Sequence, residues 1–495
     1  MKNIFLMMLL WLTIESNAQF SNNVWCFGDS AGIRFTNGIA TNFNSSVKSR
    51  GSCVSIADSN DFLLFYAFTN SPFQYYTGRV FDNSHNLMLN GDSIASRDWY
   101  QEMVIVPKPS DTNKFYLFST LVTSFKGLYY SEIDMSLNNG LGAVTQKNIQ
   151  LDTLQGIDCL TAIKHGNGRD WWLMYCPNFI PDSSDLFYLY LVDSNGINPP
   201  FVKHVGQKTL TNEASIAFNV KGNQFARSTL YGLLELFDFD RCTGDITSHA
   251  IIENQPIVNA YFSLAFSPSG RYLYTCKPAT KVFLYQFDLQ AANIKASRLT
   301  LDTSSYPAYS GGWLKLAPDS NIYWTNRFYD GCGGTTFCDT TYNMYNMNLS
   351  VINEPDSPGL ACNFTKYSFY LGGNRTLWGL PNNPDYDLPG DSGCSNVSSP
   401  PAPQRGDQKL HATYIAAWEK LFVNAQNLKG KNVTITIYDA AGKEKFARAK
   451  PPSGGLGVFG GYFTLDVDCT GWASGLYVVH LQTDKEVLNK KFVKE

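Results

Sequence analysis

Between Gly51 and Ser350 the apolar and polar positions follow one order six times. A short apolar run is followed by a tight polar turn and then an aromatic-rich run. A variable stretch follows, and a last apolar run ends on an acidic or amide residue. The turns read IADSND (56–61), PKPSDTN (107–113), KHGNGRD (164–170), NVKGN (219–223), SPSGR (267–271) and APDSN (317–321). The runs end on Asp82, Asp134, Asp193, Asp240, Asp288 and, less regularly, Asn348. Runs such as MVIVP, WWLMY and YLYTC have the length and the β-branched or aromatic content of strands, and Asn, Asp, Gly or Pro bound them. The repeat length is roughly 50 residues, which falls in the range of propeller blades. A sheet of that size cannot cover both its faces, so the copies must stack around a shared core.

This predicts an all-β chain built on a seven-bladed β-propeller, with a six-bladed ring as the alternative. After the sixth copy, FTKYSFYLGGNRTLWGLPN (364–382) offers strand material without a full copy, and VWCFGDSAGIRF (24–35) does the same near the N-terminus. Joining the two would complete a seventh blade and leave no free sheet edge. From Pro381 to Arg405 the composition turns to Pro, Ser, Asn and Gly and reads as an extended linker. VTITIYDAAGKEKF, YFTLDVD, GLYVVHLQT and NKKFVKE then predict a small C-terminal β-sandwich. The expected divisions are a leader at 1–18, the propeller at 19–382, a linker at 383–406 and the last domain at 407–495.

The leader comes from Lys2, the apolar run from Ile4 to Ile14 and the small residues Ser16-Asn17-Ala18, with cleavage expected between Ala18 and Gln19. That run is short for a bilayer and no later one is longer, so no transmembrane segment is expected. A soluble chain outside the cytoplasm follows, and its 11 cysteines then lie where disulfides persist. Cys159 and Cys176 are equidistant from the Asn167-Gly168 turn, which suits either a cross-strand bridge or two buried thiols. Cys332 and Cys338 bracket a Gly-rich loop and suit a clip; without a second pair they do not make a zinc site. Charged residues are 16% and the net charge is −3 with no basic stripe, which argues against a nucleic-acid partner.

The last domain resembles the C-terminal sorting domains of cargo for the type IX secretion system of the Bacteroidota. The matching residues are TIYDAAGKE, TLDVD, Gly475-Leu476-Tyr477 and the terminal Lys490-Lys491-Phe492-Val493-Lys494. The Asn-Pro element that often opens such domains is absent, and HATYIAAWEKLFV stands in its place. The propeller region is similar to a group found in large gliding- or adhesion-associated surface proteins of the same bacteria. VWCFGDSAGIRF, SLNNGLGAVTQKNIQL, LLELFDFDRCTG and GLACNFTKYSFYLGG with WGLPN carry that similarity. The resemblance implies a protein delivered by the secretion translocon and then released or held at the cell surface. It implies no activity, because propellers host binding and catalysis alike.

Propeller geometry would gather the longer loops and blade connections on one face. Phe73, Tyr75, Tyr76, Trp99, Tyr100, Tyr261, Tyr309 and Tyr329 fall on them and would suit stacking against a sugar, or would cap the blades. Asp98 and Glu213, with Glu102, Asp158 and Asp330, are the carboxylates that could face a central funnel and hydrolyse a glycoside, or could cap backbone amides. GDSAG (28–32) lacks the following helix that a nucleophile elbow requires. No cofactor or metal motif is present. The expectation is a non-enzymatic binding or adhesion module for a glycan or protein. The alternatives are a secreted polysaccharide-degrading enzyme and a docking component of a surface or motility apparatus.

Overall fold

The computed structural model describes residues 20–494 apart from 71–76, 98, 122–126, 153–155, 157, 178–183, 211–213, 258–260, 278–280, 306–307, 329–341, 392, 395–409, 416–418, 426–432 and 450–462. The signal-cleavage residues Ala18 and Gln19 therefore lie outside the described residues. The chain divides into two compact units, Met1–Ser399 and Pro400–Glu495. Among the described residues every regular element is a strand or a one-turn 3₁₀ segment.

Among the described residues the first unit contains seven antiparallel sheets. The N-terminal sheet is Val24–Phe27, Asp29–Thr36 and Ile39–Lys48. Sheet 1 is Cys53–Asp58, Leu63–Thr69 and Gly78–Asp82, with Phe20–Ser21 added beside Cys53–Asp58. Sheet 2 runs through Met103–Pro107, Lys114–Thr120, Leu128–Asp134 and Ala143–Asp152. Sheet 3 has Thr161–Lys164, Trp171–Tyr175 and Ser184–Asp193, with Gly196–Ile197 and Phe201–Thr209 both paired to the last of these. Sheet 4 is Ala214–Phe218, Gln224–Thr229, Leu234–Phe239 and Ile246–Glu253. Sheet 5 is Leu264–Phe266, Tyr272–Lys277, Lys281–Asp288 and Leu299–Ser305. Sheet 6 is Ala308–Leu316, Ile322–Phe328, Asn348–Ile352 and Phe364–Tyr370.

The strands read from the repeat are three consecutive strands in each of sheets 1 to 6, starting with those at Cys53, Met103, Thr161, Ala214, Leu264 and Ala308. Met103–Pro107 and Trp171–Tyr175 are buried along their whole length, because neighbouring sheets cover both faces. Val24–Phe27, Cys53–Asp58, Met103–Pro107 and Thr161–Lys164 meet in succession, as do Ala214–Phe218, Leu264–Phe266 and Ala308–Leu316. Sheets 3 and 4 share one core through Cys159, Ile163, Phe187, Ala214, Ile216 and Phe225. Tyr323 of sheet 6 packs edge-on against Trp25 and Phe35 of the N-terminal sheet, at 5.9 and 5.8 Å between ring centroids. The contacts thus return to where they began, and the first strand of each sheet lies innermost.

The recurring Asp residues are turn formers. The Oδ1 atoms of Asp82, Asp134, Asp193, Asp240 and Asp288 each accept the amide of the residue two positions on, at 2.7–3.0 Å. This satisfies a backbone donor that the turn leaves open. Asn348 breaks the series, since it begins a strand.

Two expectations are corrected. Phe364–Tyr370 is the outer strand of sheet 6 and does not join the N-terminal strands. Arg375 forms isolated bridges with Asp29 and Ser30, Asn42 donates to the Tyr370 carbonyl at 3.2 Å, and among the described residues the N-terminal sheet is built from residues 24–48. Residues 383–391, expected to begin an extended linker, are docked on the first unit through Asn383, Lys164, Arg241 and Asp391.

The second unit has a three-stranded sheet (Leu410–Ile415, Lys420–Ala425, Phe463–Asp468) and a four-stranded one (Glu444–Ala449, Thr434–Asp439, Gly475–Gln482, Val487–Lys494). Leu421, Val423, Ile435, Ile437, Val467, Val479 and Leu481 are buried in one core between them. The Ala440–Gly442 turn closes where Asp439 Oδ1 accepts the amides of Ala441 and Lys443, both at 3.0 Å.

Candidate functional site

The described surface carries a groove of about 220 Å³ between the N-terminal sheet and the turns of sheet 1. Arg34, Phe43, Phe62, Leu63, Asn83 and His85 line it. Phe62 closes the Asp58–Phe62 turn and leaves 66% of its surface in solvent. Phe43 projects from Ile39–Lys48 and stacks on the His85 imidazole at 6.1 Å and 28°. The Arg34 guanidinium sits 5.8 Å from the Phe43 ring centroid. Its Nη1 donates to the Asp61 carbonyl at 2.6 Å, which fixes the fork in place.

A relay orients His85. The Ser46 amide donates to Tyr66 Oη at 3.1 Å, and Tyr66 Oη lies 3.1 Å from His85 Nδ1. With the Tyr66 hydroxyl donating, the imidazole keeps its proton on Nε2. Burial holds the His85 pKa below its usual value, against the opposing pull of Asp82, so the ring is neutral near pH 7. The groove therefore offers two aromatic faces, a cation, an amide and a neutral N–H within one small concavity. Flat apolar surface beside planar polar donors suits a sugar ring.

Most of the sequence-derived stacking residues are placed elsewhere or not described. Phe73, Tyr75, Tyr76 and Tyr329 lie outside the described residues, and Tyr309 is described only as a strand position. Trp99 and Tyr100 are half-buried and pack edge to face at 6.4 Å. Tyr100 also stacks on Trp313 at 5.9 Å and meets Phe262 edge-on at 4.7 Å, and the Arg50 guanidinium lies over both Trp99 and Tyr100. Tyr261 is 3% exposed, and its hydroxyl accepts from Arg298 at 3.5 Å. Tyr100 and Tyr261 thus serve as packing, because neighbouring sheets converge where these connections arrive.

Asp98 and Glu213 also lie outside the described residues. The two described carboxylates of the same group are structural. Asp158 accepts the amides of Tyr100 and Gln101 at 2.6–3.1 Å, and Glu102 accepts the amide of Arg97 at 3.1 and 3.2 Å. Both are fully buried.

Of the two arrangements open to Cys159 and Cys176, the structure has the pair of buried thiols. They do face each other, and burial together with the neighbouring Cys176 raises the Cys159 pKa. Cys332 and Cys338 lie outside the described residues. The disulfide among the described residues joins Cys242 to Cys394, 152 positions apart. Asp391 lies within 4.8 Å of both sulfurs, but with the sulfurs bonded to each other that trio is no metal site.

In the second unit the sequence-derived sorting residues divide by strand alternation. Leu476 pairs with Val493, and both are exposed. Lys491 is exposed as well, while Gly475 and Lys490 are half-exposed. Tyr477 is buried and donates to the Ala473 carbonyl at 2.6 Å. Lys494 turns inward to Glu419 Oε1 at 3.0 Å and to the Cys469 carbonyl at 2.8 Å.

No protein-family model matches the chain, and no curated protein does. Among solved structures it is similar to a candidate 6-phosphogluconolactonase from Bacteroides uniformis ATCC 8492, with a TM-score of 0.40 and 12% identity. That match covers 65% of this chain and 98% of the other. It is also similar to the β-propeller domain of Cps50 (Swd1) from Myceliophteria thermophila, with a TM-score of 0.34 and 11% identity over 62% and 93% of the two chains. Neither likeness bears on activity.

Proposed function

We propose that this protein is a binding module, a seven-bladed propeller that holds a glycan at the cell exterior, carried there by its C-terminal unit. The circuit of seven sheets supports the blade count. The leader-like segment and the C-terminal residues Gly475, Leu476, Tyr477, Lys490, Lys491, Val493 and Lys494 support export through the type IX translocon.

The observation that carries the binding reading is the exposed Phe62 ring beside Arg34, Phe43, Asn83 and His85. At about 220 Å³ the groove is smaller than the roughly 300–1,000 Å³ of cofactor-sized pockets. It therefore suits one sugar ring of a longer chain, with Phe62 stacking on the apolar face and Arg34 and Asn83 meeting hydroxyls.

The test is a glycan array with the mature chain, followed by calorimetric titration of the best hit. Phe62→Ala is predicted to weaken binding tenfold or more, about 1.4 kcal/mol, without lowering the melting temperature; Arg34→Ala, which also loses the bond to the Asp61 carbonyl, is predicted to weaken binding as much and to melt slightly lower. Unchanged affinity in both variants would refute the groove as the site.

A further inference from the structure

The inner strands of the seven sheets surround an axis, and the chain's own tail lies along it. Trp378 and Gly379 donate their amides to the Arg50 carbonyl at 2.9 and 3.1 Å, and the Trp378 carbonyl accepts the Trp313 amide at 2.7 Å. The Asn382 amide reaches the Cys53 carbonyl at 2.8 Å, and its side-chain amide donates to the carbonyls of Met103 and Leu160 at 2.9 and 2.8 Å. Its Oδ1 accepts from Gln101, which also bonds both the amide and the carbonyl of Ile216. One asparagine is thereby tied to sheets 1 and 2, to the residue leading into sheet 3, and through Gln101 to sheet 4.

The next residues continue in step. Asn383 Oδ1 accepts the Ser55 amide at 2.8 Å, and its carbonyl accepts Lys315 Nζ of sheet 6 at 3.0 Å. Tyr386 donates to the Ile105 carbonyl at 3.1 Å, and its own carbonyl accepts Lys164 Nζ at 2.9 Å. Arg241 bonds the Pro389 carbonyl, and the Asp391 amide bonds that of Gly166. Partners on sheet 1 advance from Arg50 to Ser55, on sheet 2 from Met103 to Ile105, and near sheet 3 from Leu160 to Gly166. The tail thus passes from one end of the inner strands to the other, where Cys394 is bonded to Cys242.

We propose that residues 378–391 are a plug supplied by the chain itself, which fills the axis of the ring, and that Cys242–Cys394 is the latch holding its far end. The inference rests on the circuit of sheets and is independent of what the Phe62 groove binds. Asn382 and Asn383 satisfy backbone groups of the inner strands that would otherwise require water. Ligands are therefore excluded from the axis, and an axial funnel is unavailable for catalysis. Closing the latch requires an oxidant. The two thiols lose two protons and two electrons to a low-molecular-weight disulfide such as oxidised glutathione, which leaves as two thiols while the Sγ–Sγ bond forms. Because both ends of the unit contribute, through residues 24–48 and through 378–391 with Cys394, the ring locks only once the chain is complete to Cys394.

The test combines non-reducing peptide mapping with hydrogen exchange on the full mature chain. Mapping is expected to join the Cys242 and Cys394 peptides. Amides of 380–388 are expected to exchange at least 100-fold more slowly than in unstructured chain. Reduction by a phosphine, or Cys394→Ser, is expected to speed exchange at Asp391 at least tenfold while Asn382 changes less than threefold. Exchange of 380–388 at the unstructured rate in oxidised protein would overturn the plug. Cys394 found free or bonded to another cysteine would overturn the latch. Reporting on backbone amides and bond partners, these readouts are independent of glycan binding.

Discussion

Arg227 and Glu235 form an ion pair inside sheet 4, with side chains 1% and 0% exposed. Arg227 Nη2 and Nε lie 2.5 and 3.0 Å from Glu235 Oε2, and Nη2 also donates to the Gln207 carbonyl at 2.8 Å. Glu235 Oε1 accepts the Gln207 amide at 2.7 Å, so the pair clamps the outer strand of sheet 3 to sheet 4. The guanidinium lies between the rings of Phe187 and Phe237, at 5.0 and 5.6 Å. Glu235→Leu would strand a buried cation with one carbonyl acceptor, and removing one partner of such a pair costs about 3–5 kcal/mol. Replacing both, as Arg227→Met with Glu235→Leu, exchanges charge for apolar packing and is expected to cost under about 2 kcal/mol. Unfolding entropy of about 2.1 cal/mol/K per residue gives roughly 0.8 kcal/mol/K for the roughly 380 residues of the first unit after its leader. By calorimetry the single variant should therefore melt about 4–6 °C lower, and the double variant should recover at least about a third of that loss. A double variant as unstable as the sum of the two singles would refute the clamp.

Three further perturbations test other parts of the structure. Gly28 has φ +63° and a Cβ there would lie 2.5 Å from the Arg375 carbonyl, whereas Gly38, at φ +74°, has open space. Gly28→Ala should cost at least about 2 kcal/mol and Gly38→Ala only about 1, from left-handed strain alone; equal losses in melting temperature would contradict the closure at Arg375. Burial lowers the Lys315 pKa to about 8, with Asp385 opposing. Its unfolded value is about 10.4, so the unfolded chain binds more protons between those values and stability should rise with pH across that window. Lys315→Met should flatten the rise, and parallel curves of melting temperature against pH would refute the assignment. Deleting Gly475–Glu495 removes two strands of the second unit and is expected to leave the protein in the periplasm; fractionation that finds it outside the cell would refute the sorting role.

In sheets 1 to 6 the first three strands are legible because burial on both faces demands unbroken apolar runs, as in Met103–Pro107. The outer strands are not. Phe201–Thr209 and Phe364–Tyr370 are largely solvated, so solvent, not a core, sets their composition and the repeat fades. The axial tail was misread for a related reason. Asn382, Asn383 and Pro389 have the composition of a linker, yet they dock through polar groups aimed at backbone, which leaves no apolar signature. The Cys242–Cys394 bond spans so many residues that spacing could not reveal it. The groove is not legible in the sequence because Arg34 and Phe43 are brought to Phe62 and His85 only by the packing of two sheets. The recurring Asp residues stand out in the sequence because an Asx turn is a local device that needs the same residue at the same place in each copy.

The most direct test of the architecture is a crystal structure of the mature chain at a resolution that separates side-chain amides from carbonyls. Seven sheets in a closed circuit are expected, with continuous density for 378–391 along the axis and the Asn382 side chain on the carbonyls of Met103 and Leu160. An open array of sheets, or an axis filled by solvent with the tail outside, would contradict it.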